Sequence, residues 1–215
     1  MFTNEFLPDQ LPDNPLPLLE EWVQFARQNA QQPNPDAMTL ATVTADGRPN
    51  ARIVLCKQLN VNNGYLTFFS NYRSTKGSEL QVHPFAAAVM HWDQLHRQVR
   101  VQGQVIQSPM AESDAYFNIR PVVSQIGAWA SNQSQPLSSR AQLEAQVAQT
   151  HHQYENRQIP RPPHWGGYRL WISSLELWVE GPGRVHDRAQ WTRAIIRNDD
   201  YNFAGGTWQA TRLNP

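Results

Sequence analysis

Residues 51–76 read ARIVLCKQLNVNNGYLTFFSNYRSTK, and their pattern predicts a strand, a turn, a second strand and the start of a helix. β-favouring residues occupy 53–56, and another apolar run covers Tyr65 to Ser70. Asn62-Asn63-Gly64 between them is typical of a tight turn, because Asn and Gly tolerate positive φ angles. Ser74 is a suitable cap for the helix that follows. Short connections of this kind indicate an antiparallel meander rather than parallel βαβ units.

Three cations flank these elements: Arg52, Lys57 and Lys76. The strand ends and the exposed N–H groups at the helix start would place them around a phosphate-bearing ligand. Ordinary surface charge explains the same three residues equally well from this stretch alone.

Composition narrows the possible classes of protein. The chain has 215 residues, with 18 Lys plus Arg against 18 Asp plus Glu. A balanced charge gives no global field to attract nucleic acid or an anionic membrane, so any anion site must be local. Cys56 is the single cysteine, and no apolar run approaches a membrane span. We therefore expect a cytoplasmic protein with no nucleic acid or membrane partner.

The remaining pattern predicts a single domain over 16–215, preceded by a flexible N-terminal arm over 1–15. Further strands are expected at Met38–Thr44, the run that carries Arg52, Phe85–Trp92, Arg97–Gln107, Tyr168–Val179, Arg184–Ile196 and Thr207–Leu213. Helices are expected from Leu16 to Ala30, from Ser74 to His83, from a Ser108 cap to Arg120, just after Pro121, and from a Ser139 cap to Arg157. This set predicts a mainly β fold, a closed or split antiparallel β-barrel with flanking helices.

The sequence lacks the common hydrolytic and metal motifs. No HExxH pair, Gly-x-Ser-x-Gly elbow or Walker loop is present, so we expect no metal. In a strand, Arg184, His186 and Arg188 would share one face, although a surface ion pair with Asp187 is an equal explanation. Cationic and aromatic residues without a nucleophile are consistent with chemistry supplied by an organic cofactor.

Two other polar groups could join such a site. Tyr116 and Arg120 stand one helical turn apart and could grip a second phosphate, although a simple helix-surface pair is the alternative. Gln133 and Ser134 could hydrogen-bond a flavin or a phosphate, but polar residues are also common in ordinary loops.

Several motifs, in order, resemble one known family. They are RIVLCK (52–57), FFSNYRSTKG (68–77), RQVRVQG (97–103), YFNIRPVVSQIGAWASNQS (116–134), PPHWGGYRL (162–170), LELWVEGPGRVHDR (175–188) and RLNP (212–215). Together they resemble pyridoxine/pyridoxamine 5′-phosphate oxidase over nearly the whole chain beyond the first helix.

The resemblance implies a homodimeric split barrel of the FMN-binding type, with each FMN at the subunit interface. The implied FMN-binding residues are Arg52, Ile53, Val54, Leu55, Cys56, Lys57, Phe69, Ser70, Thr75, Lys76, Gln98, Gln133, Ser134, Trp178 and Arg188. Lys57, Tyr116, Arg120 and Ser124 would bind the substrate phosphate, and Arg184 and His186 would stand over the pyridine ring as catalytic residues. The implied reaction takes a hydride from substrate C4′ to flavin N5, with O2 as acceptor and H2O2 and pyridoxal 5′-phosphate as products.

Two departures from the family pattern keep alternatives open. Thr75-Lys76 stands where the family usually has Arg-Lys, and losing one charged hydrogen bond should weaken FMN binding by about 1.5–3 kcal/mol. The Arg and Tyr of the family's N-terminal arm have no counterpart before Arg27 and Tyr65. Two alternatives therefore remain: a related FMN oxidase of the phenazine-biosynthesis type, and a non-catalytic flavin- or pyridoxal-phosphate-binding protein. A structural barrel that binds no ligand is a third, lower-ranked alternative.

Overall fold

The structure is a computed structural model that describes residues 6–215. The helices are α1 (Leu16–Asn29), α2 (Thr75–Val82), α3 (Met110–Asn118), α4 (Val122–Ala130) and α5 (Arg140–Gln153). The strands are β1 (Ala37–Val43), β2 (Pro49–Leu55), β3 (Gln58–Asn60), β4 (Tyr65–Asn71), β5 (Phe85–Trp92), β6 (Arg97–Gln107), β7 (Trp165–Val179), β8 (Asp187–Thr192), β9 (Ile195–Arg197), β10 (Phe203–Gly205) and β11 (Gln209–Leu213). The fold is therefore mainly β with flanking helices, as predicted.

One antiparallel sheet of nine strands forms a curled, open barrel. Its main path runs β11-β8-β7-β6-β5-β1-β2, and β4 joins at β7 with β3 on its outer side. The sheet branches because β7 is 15 residues long. Its first half, from Trp165 to Trp171, pairs with β4, and its second half, from Ser174 to Val179, pairs with β8. The two branches leave a seam between β2 and β4.

Alternating side chains fill the inside of this barrel. Val99, Val101 and Val105 of β6 are buried, as their spacing predicted, while Arg100 and Gln102 between them are exposed. Helix α1 covers the same core with an apolar stripe of Leu16, Leu19, Trp22, Val23 and Ala26. The core thus fixes which face of each strand is left for polar contacts.

Strand pairing differs from the predicted meander at one point. The turn at 62–64 forms, with Gly64 at a φ of +76°, but it joins β3 to β4. Strand β4 then pairs with β7 instead of β2, because the second apolar run is buried on both faces between β7 and the core.

Two other predicted elements were wrong in detail. Residues 184–196 are not one strand: a 3₁₀ turn at Pro182–Arg184 precedes β8, and β9 follows after a break. Arg184 has a φ of +66°, so it does not share a strand face with Arg188. Helix α3 is capped by the backbone of Pro109, and the hydroxyl of Ser108 does not cap it.

The part of the N-terminal arm that the structure describes contacts the barrel. Leu7 is buried, and its N–H donates to Asp187 over 2.8 Å. The carbonyls of Pro8 and Pro12 accept hydrogen bonds from Arg212 and Trp191. Residues 1–5 of the predicted flexible arm lie outside the described residues. Within residues 6–215, no helix is long and apolar enough to cross a membrane.

Candidate functional site

A cavity of about 760 Å³ opens at the seam between β2 and β4. Helices α3 and α4 and the loop after α4 complete its wall. Its lining residues are Arg52, Ile53, Val54, Leu55, Lys57, Phe69, Ser70, Asn71, Lys76, Tyr116, Ile119, Arg120, Pro121, Ser124, Gly127, Ala128, Ser131, Gln133 and Trp165. The structure therefore brings into one cavity most of the residues that the sequence nominated for two separate anion sites.

Lys76 is the buried cation of this cavity. Its ammonium group donates to Ser70 Oγ over 2.8 Å, to Gln133 Oε1 over 3.0 Å and to Ser74 Oγ over 3.1 Å. Ser74 caps α2, as predicted, by accepting from the N–H of Gly77. Burial lowers the pKa of Lys76 to about 8, the charge of Arg52 acts in the same direction, and Glu79 opposes both. Burial thus makes the charged form of Lys76 less favourable, and a bound phosphate would stabilise that form.

Arg52 is fixed by a buried carboxylate. Glu79 lies on α2 with its side chain 5% exposed, and its Oε2 accepts from Arg52 Nη2 over 2.9 Å. Asn50 donates to Glu79 Oε1 over 2.8 Å, and Thr42 also contacts both Glu79 and Arg52. Although burial raises the pKa of Glu79, the hydrogen bonds from Asn50, Thr42 and Arg52 bring it below its ordinary value. The carboxylate therefore stays ionised and holds the guanidinium at the cavity wall.

Stacked aromatic rings form another part of the cavity lining. The ring of Phe69 lies 3.9 Å from that of Tyr116 and 5.5 Å from that of Trp165, all nearly parallel. Arg120 lies with its guanidinium carbon 4.4 Å from the centre of the Trp165 ring. Burial lowers the pKa of Arg120, and its Nη1 is buried without a hydrogen-bond partner among the described residues. An unpaired buried donor of this kind is suited to an anionic ligand.

A second cluster lies on the outer face of β6, β7 and β8. Gln98, Trp178 and Arg188 are direct cross-strand neighbours in one row. His186 packs against Trp178 with ring centres 4.6 Å apart, and its Nδ1 accepts from the N–H of Gly181 over 3.2 Å. None of these residues, nor Arg184, lines the cavity in the part of the chain that the structure describes. The nominated residues thus form two groups within one protomer.

Three further nominated residues, which belong to neither group, also lie outside the cavity wall. The side chain of Cys56 faces the apolar core, where burial raises the pKa of its thiol to about 12. Thr75 is exposed on the first turn of α2, and Ser134 is an exposed loop residue with a φ of +70°. Only the backbone of Cys56 could therefore contact a ligand in the cavity. Neither Thr75 nor Ser134 contributes to the cavity lining in residues 6–215.

Sequence reasoning missed the groups that support the site. Glu79 and Thr42 contact Arg52, Asn50 donates to Glu79, and Trp165 stacks with Arg120. Trp165 lies in a motif that was noted, yet its role depends on α3 crossing the start of β7. The position of Glu79, three residues after Lys76, was the available signal for a carboxylate on the cation-bearing helix.

Models of known families match both parts of the chain. The model described as Pyridoxamine 5′-phosphate oxidase matches residues 23–154. The model described as Pyridoxine 5′-phosphate oxidase C-terminal dimerisation region matches residues 165–215. The second match indicates a homodimer, and it includes the strands that carry Trp178 and Arg188.

Individual relatives agree with the family models. The chain is 48% identical over 202 residues to a pyridoxine/pyridoxamine 5′-phosphate oxidase of Paraburkholderia phytofirmans, covering 94% of this chain and 89% of the relative. It is 45% identical over 207 residues to the protein of the same name from Ectopseudomonas mendocina, covering 96% and 91%.

Solved structures share the fold. PhzG from Burkholderia lata, in complex with tetrahydrophenazine-1-carboxylic acid, gives a TM-score of 0.85 at 29% identity, covering 100% of this chain and 98% of that one. A pyridoxamine 5′-phosphate oxidase-related, FMN binding protein from Nostoc punctiforme gives 0.66 at 18% identity, covering 93% and 96%. The architecture is therefore the predicted split barrel. On the family models and the curated relatives together, the chain belongs to the pyridoxamine 5′-phosphate oxidase family.

Proposed function

We propose that the protein is an FMN-dependent oxidase that converts pyridoxamine or pyridoxine 5′-phosphate to pyridoxal 5′-phosphate, with O2 as acceptor and H2O2 as product. The observation that carries the proposal is the shared cavity, whose lining includes both Lys76 with Arg52 and Tyr116 with Arg120. One cavity with two sets of phosphate-binding side chains suits a phosphorylated flavin beside a phosphorylated substrate. We expect the protein to act in the cytoplasm.

The donor set fits FMN. Lys76 and Arg52 would hold the FMN phosphate, supported by Ser70 and by the ionised Glu79 that fixes Arg52. The strand from Ile53 to Leu55 would flank the flavin ring, and Gln133 would donate or accept at its edge. FMN supplies a two-electron acceptor that O2 reoxidises; the protein contributes binding and orientation.

The substrate phosphate would bind to a second group of lining residues. Arg120 offers its unpaired Nη1, while Lys57, Tyr116 and Ser124 line the same wall. Stacking of Tyr116 on Phe69 and of Arg120 on Trp165 would hold these donors in place before a ligand arrives. Preformed donors of this type lower the cost of ordering the site on binding.

A partner subunit would complete each site. Gln98, Trp178, Arg184, His186 and Arg188 would reach the flavin and the pyridine ring across a two-fold interface, because within one protomer they lie apart from the cavity. The dimerisation-region match supports this arrangement. An isologous interface would supply the second cluster to both cavities at once.

The test is an absorbance experiment on purified protein loaded with FMN. Mixing with pyridoxamine 5′-phosphate in the absence of oxygen should bleach the flavin, and admitting oxygen should restore the colour with release of pyridoxal 5′-phosphate and H2O2. A spectrum that does not change would contradict the proposal. Tight binding of either ligand without peroxide would instead support a non-catalytic binding protein.

The second candidate is an oxidase acting on a reduced phenazine carboxylic acid. The high structural similarity to PhzG in its complex with such a compound favours it. Its ligand carries a carboxylate, so it would not need Lys57, Tyr116, Arg120 and Ser124 as a phosphate site. This function would be supported if the protein turned over a dihydrophenazine or tetrahydrophenazine carboxylic acid and did not turn over pyridoxamine or pyridoxine 5′-phosphate.

A further inference from the structure

A buried carboxylate lies on the otherwise polar face of β6, β7 and β8. Glu176 is 4% exposed, although its neighbours Ser174 and Trp178 on the same face are partly exposed. Arg100 donates to its Oε2 over 2.9 Å from β6. Arg188 donates to its Oε1 from β8 through Nε over 2.9 Å and Nη2 over 2.8 Å. The carboxylate is therefore paired from both sides, which offsets the cost of its burial.

The third contact of Arg188 comes from the last residues of the sequence. Its Nη1 donates to the backbone carbonyl of Asn214 over 3.0 Å. Strand β11 brings Asn214 there, because it pairs with β8 in a register that sets Leu213 opposite Arg188. Arg212 strengthens the same junction by pairing with Asp187. The closing RLNP motif thus has a structural role beside Arg188.

The contacts with Glu176 and Asn214 occupy only part of the Arg188 guanidinium. A guanidinium has five N–H groups in a fixed plane. Glu176 takes two of those of Arg188 and the Asn214 carbonyl takes one. Two N–H groups remain, one on each Nη, with no partner in residues 6–215. Since the plane is rigid and held on two edges, the direction of these two donors is set before any ligand binds.

We propose that Glu176 and the backbone carbonyl of Asn214 are positioning groups that aim the two remaining N–H donors of Arg188 at the flavin. The inference rests on the proposed function, in which Arg188 contacts FMN bound to the partner subunit. Arg100 neutralises the second oxygen of Glu176 and makes no contact with Arg188. Its loss should therefore leave the direction of the Arg188 guanidinium unchanged.

The test measures FMN affinity of the apoprotein by quenching of flavin fluorescence. Glu176→Gln should weaken binding about tenfold, since one charged hydrogen-bonded pair is lost, and a chain ended after Leu213 should weaken it about threefold. Arg100→Gln is the matched control and should bind as the wild type does. In an Arg188→Ala background, neither Glu176→Gln nor the shortened chain should have a further effect.

A second measurement does not depend on flavin. The Arg188 Nε–H signal in a ¹H–¹⁵N spectrum of the apoprotein, assigned by its loss in Arg188→Ala, should be protected from solvent exchange in the wild type and in Arg100→Gln. Glu176→Gln should lose that protection, and Glu176→Asp should recover part of it. The shortened chain keeps Glu176, so it remains informative even where a buried substitution prevents folding.

Three affinity results would each overturn the inference: wild-type affinity in both variants, equal losses with and without Arg188, or an equal loss in Arg100→Gln. An unprotected Nε–H in the wild type would do the same. A wild-type protein that fails to bind FMN would overturn the proposed function instead, and the Nε–H signal would still decide whether Glu176 holds Arg188.

Discussion

The ammonium group of Lys76 donates a hydrogen bond of 3.0 Å to the side-chain oxygen of Gln133, 57 residues further along the chain. This contact joins the start of α2 to the loop after α4 in the cavity wall. Lys76 is 8% exposed, and burial lowers its pKa to about 8. A neutral amide oxygen satisfies one N–H of the ammonium group but does not compensate its charge.

The affinity for FMN should therefore fall as the pH rises above about 8. Lys76 is protonated below its pKa and loses its charge above it, while the FMN phosphate, with a second pKa of about 6, stays a dianion throughout pH 7–10. Titration of the apoprotein with FMN across this range measures the dependence. Lys76→Arg should flatten it, because a guanidinium stays charged. A wild-type affinity independent of pH would contradict the prediction.

The same lowered pKa should make the stability of the apoprotein change with pH in the opposite direction to the FMN affinity. Between about 8 and the ordinary value of 10.5, the unfolded chain binds a proton at Lys76 that the folded chain does not. The contribution of this residue to the free energy of unfolding therefore increases with pH in that window. Urea unfolding of the wild type and of Lys76→Met at pH 7 and pH 10 measures this contribution. The free energy of unfolding of the variant relative to that of the wild type should be lower at pH 10 than at pH 7.

Arg120→Gln should raise the KM for pyridoxamine 5′-phosphate by about tenfold to a hundredfold, the range expected for a charged hydrogen bond. The proposed function gives Arg120 to the substrate phosphate, and its buried Nη1 without a partner in residues 6–215 and its guanidinium over Trp165 are the observations behind that proposal. Steady-state kinetics at saturating FMN measure KM, and fluorescence titration should find FMN affinity unchanged. Arg140→Gln, on the exposed face of α5, is the control. A loss of FMN affinity with KM unaltered would assign Arg120 to the flavin instead.

Thr75→Arg should tighten FMN binding by about tenfold, because it adds a second charged hydrogen-bond donor for the phosphate at the start of α2, beside Lys76. Thr75 is exposed, so a longer side chain has room to turn toward the cavity. Gln81→Arg adds the same charge to an exposed position at the other end of α2 and should have little effect. Equal gains in the two variants would mean that only the net charge of the protein matters.

Gly103→Ala should lower the free energy of unfolding by about 1–3 kcal/mol. The sheet register shifts between Gln102 and Gly103, and a Cβ at Gly103 would lie 1.7 Å from the backbone oxygen of Trp171. Gly127→Ala in α4 meets open space and should instead stabilise by about 0.5–1 kcal/mol. Urea unfolding of both variants measures the difference. Equal effects would show that the strands can separate at the bulge without cost.

Local patterns in the sequence predicted most elements. The alternation of Val99, Val101 and Val105 gave the buried face of β6, and the Ser74 cap gave the start of α2. Such features depend on neighbours a few residues away, so a single sequence reports them well. Positive φ at Arg184 and the break before β8 were not visible, because nothing in the local spacing distinguishes them from a continuous strand.

What the sequence by itself determined is most of the strands and helices and the residue types available for binding two phosphates. The tertiary structure decided which of them meet. It paired β4 with β7, opened the cavity at the seam with β2, placed Glu79 behind Arg52 and joined Asn214 to Arg188. The physical reason is range: periodicity records which face of a segment is buried, whereas a partner far along the chain is chosen by packing and charge pairing that no short segment contains.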